Sequence, residues 1–103
     1  MSIIKVTQRH INIGVQGSCE CCPIALAIYD YLAKTMPIDE YLSCEVTVGA
    51  VGPVITIKNR EDEIKMVTYS MSGKLSRFIR SFDMAKKVKP FEFDLDKLTR
   101  WPV

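Results

Sequence analysis

The apolar positions change period several times along the chain, and each change marks an element. Ile3, Ile4 and Val6 form a short β-type run, after which Thr7 can cap a brief helical turn through Gln8–Asn12 that stops at Gly14. Val15–Ser18 reads as a turn. Pro23 suits the first position of a helix because its missing N–H would be unpaired there anyway, and the helix is predicted from Pro23 to about Lys34, closed by Met36-Pro37. From Ser43 the period falls to two. Cys44, Val46 and Val48 alternate with Glu45 and Thr47, and a turn at Gly49–Pro53 leads back into Val54–Lys58. Asn59–Glu63 is a polar, solvent-facing turn into a third strand, Ile64–Tyr69. Leu75, Phe78, Ile79 and Phe82 then fall at i, i+3, i+4 and i+7, one apolar face of a second main helix capped by Ser72. Strict alternation over Phe91–Leu95 predicts the last strand, and the tail from Asp96 to Val103 is expected to make a short turn of helix ending in Trp101-Pro102, with Trp101 either folding back as a lid on the core or anchoring a partner.

The order β-α-β-β-β-α-β implies a single α+β domain over residues 1–103, with two main helices packed on a mainly antiparallel sheet. With 103 residues and 48% apolar content there is material for one core and no second domain. Fourteen basic against twelve acidic side chains leave a formal charge of +2, far from the dense positive field that carries general nucleic-acid binding. The opening residues have no charged leader followed by a long apolar stretch, and the most apolar run, Pro23–Leu32, is roughly half of a membrane crossing. A cytoplasmic protein without membrane contact is expected, in a compartment where thiols stay reduced.

Three of the four cysteines crowd into Cys19-Glu20-Cys21-Cys22, directly before the helix that opens at Pro23. Cys22 sits where the free N–H groups of a helix start favour a thiolate. A dithiol redox motif, however, should follow a strand and place its first cysteine at the helix start, whereas here the second takes that place. Structural zinc would draw on Cys19, Cys22 (or Cys21), Cys44 and His10, with no second paired motif to complete the tetrahedron, or on ligands shared across a dimer. The plainer reading is a set of small buried thiols at a tight corner. His10 has no serine or cysteine at a spacing that marks a catalytic partner, and it is expected to tie its turn to the cysteine loop by hydrogen bonds.

Two surfaces remain. The helix Pro23–Leu32 is apolar on nearly every side, with Asp30 the charged exception, so either the sheet and second helix cover it or a homodimer does; Tyr29 and Tyr31 would present hydroxyls at its edge. Lys74, Arg77, Arg80, Lys86, Lys87 and Lys89 put six cations into sixteen residues. Arg77 and Arg80, one turn apart and helped by Lys74, could hold an anion, and the plainer alternative is a solvated helix face. Gly49–Gly52 lacks the spacing of a phosphate loop.

The string Val6-Thr7-Gln8-x-His10-Ile11, then Gly14, Gly17, Cys19-x-x-Cys22-Pro23 and Ala25-Leu26-Ala27, resembles the opening of a group of short phage and prophage proteins of unassigned function. Arg77-Phe78-Ile79, Phe82-Asp83 and Val88-x-Pro90-Phe91-x-Phe93 are similar to how such chains end, although Cys21 is an addition here. The resemblance implies a phage origin and no activity. With no catalytic constellation legible, the expectation is a small non-enzymatic binding protein that occupies a host protein or sequesters a small anionic or nucleotide ligand without a cofactor. The alternative is a cysteine-based protein, zinc-binding or thiol redox.

Overall fold

A computed structural model of the chain describes residues 3–18, 20–35, 41–49, 52–59, 64–70 and 72–98. Its elements are β1 (Ile3–Val6), α1 (Gln8–Ile13), α2 (Pro23–Thr35), β2 (Tyr41–Val48), β3 (Pro53–Asn59), β4 (Ile64–Thr68), α3 (Gly73–Asp83) and β5 (Phe91–Asp94), followed by a single 3-10 turn at Leu95–Lys97. The expected Met36-Pro37 helix stop, the acidic positions Glu61–Glu63 and the Trp101 fold-back lie outside the described residues.

The architecture is α+β, and every strand pairing is antiparallel. The strands divide into two sheets, because β5 leaves the β2-β3-β4 meander and returns to β1, setting Ile4 opposite Phe93 and Val6 opposite Phe91. α2 packs against both β1 and β2 and so joins the two sheets. Of the two ways of covering this helix, burial inside the chain holds for its first half: Ile24, Ala25, Ala27 and Ile28 are buried in one core with Ile4 and Val46, while Ala33, Lys34 and Thr35 reach solvent. α3 lies over β5, where the Phe78 ring sits 4.7 Å from that of Phe91. No helix among the described residues is long and apolar enough to cross a membrane.

Local chemistry sets the helix starts. Ser72 accepts the Leu75 N–H at 3.2 Å and caps α3. At α2 the same role falls to sulfur, since the Ala25 N–H points at Cys22 Sγ at 3.5 Å and Pro23 fills the first helical position. The loop before it is tied at both ends. Val15 N–H donates to the Cys21 carbonyl at 2.8 Å, and Gly17, at φ 71°, donates its N–H to Asp83 at the end of α3.

Gly14 is required by close approach. A Cβ there would stand 2.8 Å from Cδ and Cγ of Pro23 and 2.9 Å from the His10 carbonyl oxygen, a rigid ring and backbone that cannot step aside. Gly14→Ala is therefore expected to destabilise the fold by about 1–3 kcal/mol. Gly49→Ala, whose Cβ meets nothing within 4 Å, should stay within about 0.5 kcal/mol of wild type. Urea midpoints at constant m-value check both.

Candidate functional site

The site begins with an unusual helix cap. Thr7 caps α1 and its hydroxyl oxygen receives the His10 N–H, while the Thr7 N–H donates to His10 Nδ1 at 3.0 Å, so histidine fills the place that glutamate or glutamine takes in a capping box. With Nδ1 accepting, the ring proton sits on Nε2, which donates to Asp30 Oδ2 at 2.5 Å. His10 is 4% exposed. It thus ties α1 to α2 and not to the cysteine loop, because Thr7 occupies one ring nitrogen and Asp30 the other.

Asp30 Oδ2 also receives Arg9 Nη1 at 3.1 Å. The hydrogen bond from His10, helped by Arg9 and opposed by partial burial, holds the Asp30 carboxyl below its ordinary range. Around this pair opens a cleft of about 480 Å³ between β1, α1 and α2. Lys5, Arg9 and Lys34 line it together with the Tyr31 ring, Ile3 and Ala27 contribute apolar wall, and Asp30 is the one carboxylate among its described lining residues. Lys5 and Lys34 form no ion pair among the described residues. The cleft can receive an anion, since two cations are uncommitted and the resident negative charge already has two partners.

The sequence-predicted anion residues lie elsewhere. Arg77 and Arg80 are exposed on α3, and the Arg77 guanidinium folds back towards Gly73. Lys74 is engaged: its Nζ donates to the Glu92 carbonyl at 2.9 Å and stands 5.2 Å over the Phe91 ring. Of the metal set, His10 has protein partners on both ring nitrogens and Cys22 caps α2 from a buried position. Cys19 and the side chain of Cys44 lie outside the described residues, and Cys21 is exposed. Among the described residues no group of three or more His, Cys, Asp or Glu side chains is placed to hold a metal ion.

Lys5, Lys34, Asp30 and Tyr31 were not singled out as a site by sequence pattern. Part of the signal was there: Asp30 and Lys34 are spaced i, i+4 on one helix face, and Lys5 alternates outward between two buried β1 residues. What no local pattern shows is that β1 and α2 bring those two faces together. In comparisons with known proteins, no family model, no curated protein and no solved structure matches the chain.

Proposed function

We propose that this chain is a non-enzymatic binding protein that captures a small anionic ligand, of the organic-phosphate or nucleotide class, in the cleft between β1, α1 and α2. The observation that carries this reading is the gathering of Lys5, Arg9 and Lys34 on one concave surface whose one carboxylate among the described lining residues is already held by His10 and Arg9. A volume of about 480 Å³ falls in the usual range for small-molecule sites, and Tyr31 offers a ring face beside the cations. Charge-assisted contacts from Lys5, Lys34 and the remaining guanidinium donors of Arg9 would fix the anion, and the apolar wall would take the ligand's less polar part. The exposed α3 arginines offer charge without concavity.

Calorimetric titration with inorganic phosphate, pyrophosphate and adenosine monophosphate tests the reading. Binding of at least one of them is expected, and a Lys5→Glu/Lys34→Glu variant should bind at least about tenfold more weakly. Arg77→Ala/Arg80→Ala should bind like wild type. Failure of all three probes at about 1 mM would sink the reading. Loss confined to the α3 variant would move the anion to that helix and overturn the cleft.

A further inference from the structure

The three-stranded sheet has two edges, β2 and β4, and among the described residues a hydrogen bond from another element reaches only that of β2. Gly49 N–H donates to the Gly52 carbonyl and Tyr69 N–H to the Pro53 carbonyl. With the registers known, these two bonds set the phase of both ladders. β3 turns the backbone groups of Val54 and Thr56 towards β2, and those of Pro53, Ile55 and Ile57 towards β4. On β2 the outward backbone groups therefore belong to Cys44, Val46 and Val48. Val46 N–H is met there by the Tyr29 hydroxyl of α2 at 2.8 Å.

On β4 the residues whose N–H and C=O groups aim away from β3 are Ile64, Met66 and Thr68. None of them has a hydrogen-bond partner on that side among the described residues. Their side chains share the sheet's outer face, with Ile64 66% and Met66 49% exposed. Edge strands are normally blocked by a proline, a bulge or charges on the exposed face. β4 runs in unbroken register with β3, contains no proline, and shows solvent two large apolar residues.

We propose that the free edge of β4 pairs antiparallel with the same strand of a second copy, about a two-fold axis through Met66. That register sets Ile64 opposite Thr68 of the second copy and Met66 opposite its own mate, each pair exchanging two backbone hydrogen bonds. All three outward residues are used and none is left over. Lys65 falls opposite a valine position, so no charged residue of β4 meets its like. This self-complementarity is what favours a second copy over a foreign strand, and the two three-stranded sheets become one continuous sheet of six. The surface is distinct from the anion cleft.

Sedimentation velocity or native mass spectrometry over a concentration series tests this. The wild-type chain is expected to dimerise, and Met66→Lys to raise the dissociation constant about tenfold or more by setting like charges face to face at the axis. Met66→Glu should do the same. An equimolar mixture of the two variants should recover the dimer as a mixed pair, a result that a mere folding defect could not produce. Far-UV circular dichroism should show both variants folded, because the position is half exposed and its backbone groups make no bonds to β3. A wild-type chain that stays monomeric, a Met66→Lys variant that dimerises undiminished, or a mixture that fails to re-associate would each overturn the proposal.

Discussion

Ile28→Ala is expected to destabilise the fold by about 2–5 kcal/mol, a large share of the 5–15 kcal/mol typical of a domain this size. Ile28 is fully buried in the half of α2 that fills the space between the two sheets, one turn beyond the equally buried Ile24. Deleting its side chain removes transfer free energy and leaves a void. The spread within the range reflects how far the walls can close. Little closure is expected here, because β1, β2 and α1 all hold α2 and the neighbouring core positions Ala25 and Ala27 are too small to fill the gap. Ile28→Val should cost only about 0.5–1.5 kcal/mol, and Ile13→Ala, at a position 53% exposed, should lie within about 0.5 kcal/mol of wild type. Urea unfolding of the three variants reads the ordering directly. A small effect at Ile28 would mean that α2 does not bridge the sheets. The same helix carries Asp30, Tyr31 and Lys34 into the cleft, so Ile28→Ala is also expected to weaken the proposed anion binding without touching a lining residue.

The elements were legible because each rests on a local signal. Thr7 and Ser72 act as the caps their side chains suit, Pro23 starts α2, and the two-residue period from Cys44 to Val48 lies within a strand. Boundaries shifted where tertiary pairing extends or trims an element. β2 starts at Tyr41 through an irregular step before Ser43, and Leu95 leaves β5 for a 3-10 turn. The division into two sheets was not legible, because the choice of β5 to pair with β1 depends on where α2 sits and not on anything within Phe91–Asp94 itself. The site shows the same limit. Clustering in sequence drew attention to Arg77 and Arg80, whereas the cleft gathers its cations from β1, α1 and the last turn of α2, nearly thirty residues apart. His10 was visible as an isolated histidine, but its partners Thr7 and Asp30 lie on opposite sides of the cysteine loop.

His10→Ala is the sharpest probe of that junction, with an expected loss of about 2–4 kcal/mol. Three effects add. The buried imidazole leaves a void, the Thr7 N–H loses its acceptor at the start of α1, and Asp30 loses its closest hydrogen-bond donor. His10→Gln separates them, since glutamine at this position can keep the capping box by accepting from Thr7 while filling less of the cavity, and it should recover about half of the loss. The pH dependence carries an independent signature. Asp30 has its folded-state pKa lowered from the ordinary 3.8, with the His10 hydrogen bond as the main cause, so the stability it contributes is fully present above that value. It is lost as the pH falls through the lower folded value. Asp30 is 44% exposed at its side chain, so solvent screens this contribution, and it is read as a slope in acid and not as a free energy. In wild type, stability should therefore fall with acidification below about pH 4, and the fall should be shallower in His10→Ala and in Asp30→Asn, where the stabilised carboxylate is absent. Thermal melts from pH 2 to pH 7 distinguish the outcomes. Acid slopes that are identical in all three proteins would show that the imidazole fills space without holding the carboxylate, and the positioning of Asp30 beside Arg9 in the cleft would then need another source.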